Sequence, residues 1–473
     1  MPFGQRNRRR VRRGGAALIV WVAVFVAAGC SGNAVDPVLQ TQLPTSVTSP
    51  AASAAPSPAP SAAPSLEVRR LDYLYAVVAL GTRNEAQVIS ERSFRAAKDA
   101  VAVLEESLGG TYEFSVRNGG VVRVPLTNRE ERTFRDSILD AGGQGQSAAK
   151  KLYVEKLRAA LREIGPDKVA RYDGVVASVV LDMPEDELWL ETDGATGGIF
   201  LEPIRFEPDA ATGTGVMTEI ITNVEIATRQ ESTRVLAHEI GHSFGLGHAG
   251  IAECHVESSV PWDGSLPVQM TDSECRVEEY GDHTNVMGRA EVPRPAEQPE
   301  LLNALQLSQM GVLPDAEVVD ITTGLVTTGT TVEYTLHTLS STDEGVRLIA
   351  LPVVPGAKTP ISDQEWDDAG SRPYLVLSPE YDAPTDVTVP RRFTNQSLKI
   401  FYALTTTRPL ENNHVSSYAI PLTTTDENFD APKDIGAPPG YTGPIFVDQA
   451  GNTVSIVSHQ PASVTVRIDL NRG

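Results

Sequence analysis

The chain has 473 residues, 41% of them hydrophobic, which is enough for two or three domains that each bury a core. Asp and Glu number 61 against 40 Lys and Arg, giving a formal net charge of -21. So acidic a chain is a poor candidate for charge-driven binding of nucleic acid or of an anionic membrane face.

In chain order, residues 1–29 read as an address. Six arginines (Arg6, Arg8, Arg9, Arg10, Arg12, Arg13) precede the apolar run AALIVWVAVFVAAG, residues 16–29. That run is short for a bilayer span and suits the core of a secretory signal. Its end, Ala27-Ala28-Gly29-Cys30, resembles a bacterial lipoprotein processing site, where the cysteine is lipidated and becomes the first mature residue. The resemblance implies lipidation at Cys30 and a cell-membrane anchor on the extracytoplasmic face; an ordinary cleaved signal, giving a secreted protein, is the alternative. Residues 30–66 include SPAASAAPSPAPSAAPS, a Pro/Ala/Ser spacer that cannot bury enough surface to fold.

Folded sequence is expected from residue 67. Phe94, Ala97, Val101, Leu104 and Leu108 recur at intervals of three and four, one apolar helix face stopped by Gly109-Gly110. Alternation through Tyr112, Phe114 and Val116 indicates a half-buried strand. Tyr153, Val154, Leu157, Leu161 and Ile164 mark a second helix ended by Gly165-Pro166. GVVASVVL (174–181) has the continuous apolar character of a central strand, and GGIFLEPIRF (197–206) reads as another. Helices alternating with strands predict an α+β, α/β-layered domain over 67–315.

Next comes HEIGHSFGLGH, residues 238–248. Thr228-Arg229-Gln230-Glu231 has capping-box spacing, so a helix is expected to start there and run through His242. His238 and His242, four apart, share a helix face and can hold one Zn²⁺. Gly245 lets the chain turn and bring His248 round as a third ligand, leaving a fourth position for water. Glu239 is not needed as a ligand and is the expected general base, moving a proton from the attacking water to the leaving amine. Five fixed positions matching by chance in this length has a probability on the order of 10⁻⁴. A structural zinc site would need a fourth protein ligand and would have no use for Glu239.

HEIGHSFGLGH resembles the metzincin zinc-peptidase pattern H-E-x-x-H-x-x-G-x-x-H. Metzincins also carry a methionine in a tight turn beneath the metal, and Met287 in Asn285-Val286-Met287-Gly288 sits at a suitable distance. The closer likeness is to the gametolysin-like family, through EYGDHTNVMG (279–288) and LNALQLSQMGVLP (302–314). It is strong over roughly 200–314 and vague before 170. The resemblance implies a metzincin catalytic domain with an open active-site cleft, and a catalytic zinc held by His238, His242 and His248. It also implies hydrolysis of extracellular protein or peptide substrates, with substrate pairing along the edge strand near Gly198–Pro203. This chain departs from the family at Gly311-Val312-Leu313, where Gly-Trp-Leu is usual. It also has Arg289 where some metzincins place an assisting tyrosine, and it shows no cysteine-switch segment.

With Cys30 lipidated, Cys254 and Cys275 remain as one candidate disulfide in an oxidising compartment, two free thiols being the alternative. His255 and His283 are set aside as ligands because three already suffice. Glu278, Glu279 and Asp282 could hold Ca²⁺ but lack a recognisable loop grammar, and a solvated charged loop is expected instead.

Past Pro314 the chain turns to short β-patterned runs, among them VEYTLHTL, YLVLS, SLKIFYAL, NTVSIVSH and SVTVRIDL. They predict an all-β, sandwich-like C-terminal domain over 316–473. The expectation is therefore an exported zinc metalloendopeptidase anchored to the membrane through its N-terminal lipid, with no nucleic-acid partner. Its rivals are a non-catalytic binding lipoprotein with a structural or relic zinc, and a zinc amidase acting on cell-wall peptides.

Overall fold

The computed structural model describes residues 68–81, 85–139, 144–182, 195–204, 214–221, 228–253, 268–269, 276–278, 280–282, 285–288, 302–321, 329–339, 341, 343–352, 374–379, 398–403, 415–420, 441–460 and 462–470. Its elements begin with β1 (Arg69–Gly81), α1 (Glu85–Ser107), β2 (Tyr112–Val124), α2 (Asn128–Leu139), α3 (Gln144–Ile164) and α4 (Pro166–Val169). Strands β3 (Gly174–Asp182), β4 (Ala195–Ile204) and β5 (Thr214–Ile221) follow, then α5 (Arg229–Ser243) and β6 (Leu246–Glu253). After β7 (Val268–Gln269), β8 (Arg276–Glu278) and α6 (Ala304–Gln309) the chain is built of strands. These are β9 (Val318–Asp320), β10 (Thr330–His337), β11 (Leu348–Pro352), β12 (Tyr374–Pro379), β13 (Leu398–Ala403), β14 (Val415–Ala419), β15 (Gly443–Val447), β16 (Thr453–Gln460) and β17 (Ser463–Leu470).

Among the described residues, 127–139 and 144–155 fall in one compact unit and the remainder in a second. In the first, Thr127 and Glu130 form a reciprocal cap at the start of α2, with Thr127 N–H donating to Glu130 Oε2 at 2.7 Å. Phe134 and Tyr153 are its buried aromatics.

The second unit holds three sheets among the described residues. One runs in the order β2-β1-β3-β5-β4. Its first four strands are mutually parallel, and β4 at the edge is antiparallel to β5. β1 and β3 are buried along most of their length, as the continuous apolar run of β3 requires. β2 runs past Val116 to Val124, with a register shift against β1 between Tyr75 and Val77. Gly119 sits at that irregularity, where a Cβ would lie 2.8 Å from the Tyr75 carbonyl oxygen, so the close approach needs glycine.

The expected strands past Pro314 form, with β6, β7 and β8, two further sheets of order β10-β17-β16-β15-β7 and β8-β6-β14-β13-β12-β11-β9. The seven-stranded sheet therefore contains β6 and β8 beside strands from beyond residue 316, and β14 runs parallel to β6. It separates two apolar clusters. Leu246, Ala249, Ile251, Leu348 and Ala403 belong to the cluster that also holds α1, α5 and α6 residues. Ala252, Ile349, Leu351, Leu377, Leu398 and Ile400 join Phe446, Ile456, Val466 and Ile468 of the other sheet. Alternate residues of one strand thus serve opposite clusters. Among the described residues no helix is long and apolar enough to cross a membrane.

Candidate metal centre

Helix α5 begins where its sequence says it should. Glu231 N–H donates to Thr228 Oγ1 at 3.2 Å and Thr228 N–H to Glu231 Oε2 at 2.7 Å, closing the capping box. Three turns on, the helix presents His238, Glu239 and His242. It ends at Phe244, and Gly245, at φ 83°, takes the left-handed conformation that turns the chain into β6. β6 then carries His248 back to the helix.

The three imidazoles converge. Ring centroids are 4.7 Å apart for His238 and His242, 4.9 Å for His242 and His248, and 5.4 Å for His238 and His248. One ligand nitrogen from each lies within 4.8 Å of the others. His238 Nδ1 is 3.0 Å from the Val286 carbonyl oxygen and His242 Nδ1 is 2.7 Å from that of Leu246. A carbonyl only accepts, so each Nδ1 bears the hydrogen and each Nε2 keeps its lone pair.

Burial holds His238 well below the usual imidazole pKa, helped by its neighbours His242 and His248 and opposed by the Val286 hydrogen bond. It is therefore neutral, the form that ligates. The three converging nitrogens could hold a metal ion, and the donor set suits zinc. Glu239, one residue after His238 on the same helix, is buried with 4% of its surface exposed.

Residues 285–288 pack against the helix that carries two of the imidazoles. Met287 is fully buried, and a Cβ added to Gly241 of α5 would overlap its sulfur. Ala249 N–H of β6 donates to Met287 O at 2.9 Å and Asp282 N–H to Ala249 O at 3.1 Å, docking the turn onto the His248 strand. Asn285 Oδ1 accepts from Met287 N–H at 2.8 Å, and its amide pairs reciprocally with that of Gln306 at 2.8 and 3.0 Å. Gln306 in turn completes a capping box with Asn303 at the start of α6.

The structure places one aromatic at the centre that the sequence reading missed. The Tyr280 ring lies 4.0 Å from that of His248 and 6.1 Å from that of His238. It belongs to the EYGDHTNVMG phrase, but nothing in that spacing indicates that a ring seven residues before Met287 folds back on His248. Asp282 needs a correction. It was expected in a solvated charged loop, whereas it is fully buried and paired with Lys399, its carboxylate oxygens 3.3 and 3.4 Å from Nζ. Gly198–Pro203 lies within β4, at the end of its sheet. Cys30, Cys254, Cys275, His255, His283, Glu279 and Arg289 lie outside the described residues.

No family model matches this chain, and no curated protein matches it. Among solved structures it is similar to one titled "Structure of a chaperone-substrate complex", at 16% identity and a TM-score of 0.18. That likeness covers 40% of this chain and 27% of the other, and carries no argument about fold.

Proposed function

We propose that the chain is an extracytoplasmic zinc-dependent endopeptidase of the metzincin type, anchored through a lipid on Cys30. The observation that carries the reading is the convergence of His238, His242 and His248, with Glu239 on the same helix as two of them. The Val286 and Leu246 carbonyls orient two of the imidazoles, so their Nε2 atoms are presented without rearrangement. When bound, the ion supplies Lewis acidity toward a carbonyl and makes water nucleophilic near neutral pH. Glu239 takes the proton of the attacking water and delivers it to the leaving amine. The outer edge of β4 offers backbone groups along which an extended substrate adds as a further strand.

The test is cleavage of casein or gelatin by the purified mature chain. Activity should be blocked by phenanthroline and restored by zinc. Glu239→Gln should retain stoichiometric zinc with hydrolysis lowered at least a hundredfold. Undiminished activity in that variant would sink the mechanism, and a zinc-loaded wild-type chain without peptidase activity would sink the function.

A further inference from the structure

Resting on the metal-site reading above, we infer that Lys399, carried by the seven-stranded sheet, is a positioning residue for the metal centre. Its buried ion pair with Asp282 pins the turn that supports both His238 and His248.

Lys399 stands on β13, between Leu398 and Ile400, which face the cluster shared with the second C-terminal sheet. By strand alternation it points the other way, on the same side as Ala403, which belongs to the cluster around α5 and Met287. A lysine projecting into an apolar cluster is costly unless paired. Here only 4% of the Lys399 side chain and none of the Asp282 side chain is exposed. Withdrawing either partner removes a buried counter-charge from the other, so β13 and the Asp282 segment are energetically tied.

The segment so tied touches the centre at several points. Asp282 N–H bonds Ala249 of β6, one residue after His248. Tyr280, two residues before Asp282, packs its ring on His248. Downstream, Asn285 N–H donates to Asp282 O at 3.3 Å. Close packing of Gly288 on the Asp282 carbonyl leaves no room for a side chain there. Between them Val286 provides the carbonyl that orients His238. The parallel pairing of β14 with β6 makes a second connection from the same sheet, Ser417 opposite Ala249. The strands beyond residue 316 are thus part of the metal centre's support, and an enzyme cut off before β13 would lack it.

The experiment is zinc affinity by chelator competition, with the absorption spectrum of the cobalt-substituted protein as a report on ligand geometry, in the full mature chain. Lys399→Met should weaken zinc roughly 10- to 100-fold, the usual effect of removing a partner that orients ligands, and shift the cobalt bands. Lys399→Arg should recover most of the affinity. If Lys399→Met fails to fold, the double variant Asp282→Asn/Lys399→Met carries the same test, because it removes both charges of the pair together.

A folded Lys399→Met or double variant with wild-type zinc affinity and cobalt spectrum would overturn the inference, even if its melting temperature falls. A wild-type chain that binds no stoichiometric metal overturns both this inference and the reading beneath it. One that binds metal but cleaves nothing overturns only the proposed activity.

Discussion

Gly241 of helix α5 packs so closely on Met287 that a methyl group on the glycine would overlap the methionine sulfur. Met287 has no exposed surface into which it could retreat. Gly241→Ala gains up to about 1 kcal/mol of helix propensity, yet the overpacking costs roughly 1–3 kcal/mol. The net expectation is lower stability together with weaker metal binding, because Met287 shares its turn with the Val286 carbonyl that holds His238. Urea denaturation of Gly241→Ala, Met287→Ala and the double variant checks this. The double should lose less than the two singles added, and strict additivity would show that the contact carries no energy.

How much of this was legible follows from what is local. The cap at Thr228 and Glu231, the i to i+4 histidines and the turn at Gly245 are short-range features, and α5 and the imidazole cluster stand where they indicate. The apolar repeat from Phe94 to Leu108 lies in α1 and the valine run at 174–181 in β3, again because period and burial act residue by residue. Choice of strand partner is not local. Nothing in LGHAGIAE says that its neighbour is β14, which begins at residue 415. Asp282 read as a solvent charge because its counter-ion lies 117 residues away. Tyr280 was invisible as a partner of His248 for the same reason.

Glu219 on β5 makes a pH dependence. Its carboxyl is fully buried beside Ser178, which donates to Oε1 and itself accepts from the Tyr75 hydroxyl at 2.7 Å. Burial pushes the carboxyl from its ordinary 4.5 up to about 7, against the hydrogen bond from Ser178. Between those values the folded chain holds a proton that the unfolded chain has released. This contribution to stability is therefore full below pH 4.5, declines as pH rises to 7, and is flat above. At about 1.4 kcal/mol per pKa unit the decline is about 3 kcal/mol. Denaturation free energies of wild type and Glu219→Gln between pH 4.5 and 8 should converge or diverge by that amount over this window alone. A constant difference would refute the assignment.

Removing metal should lower thermal stability through mass action. A ligand present at a thousandfold its dissociation constant stabilises the folded chain by about 4 kcal/mol. At roughly 2–4 °C per kcal/mol for a large domain, chelation should lower Tm by about ten degrees. His242→Ala removes one of the three converging nitrogens, so its Tm should match that of the chelated wild type and respond little to added zinc. Calorimetry with and without chelator decides it. A full zinc response in His242→Ala would place the ion elsewhere.

Gly245 is the hinge between His238 and His242 on the helix and His248 on the strand. At φ 83° it occupies a conformation that costs an alanine about 1–2 kcal/mol, and its N–H closes the helix end on His242 O at 2.9 Å. The next residue, Leu246, supplies the carbonyl that holds His242 Nδ1, and two residues later the chain delivers His248. An alanine that relaxed toward negative φ would move both groups at once. Gly245→Ala should therefore lose more stability in the zinc-loaded protein than in the metal-free one, because the metal reports on ligand geometry as well as backbone strain. Gly245→Asn should fall between alanine and wild type, since asparagine tolerates the left-handed region better. Equal losses with and without zinc would mean that strain alone is felt and that His248 does not depend on this turn.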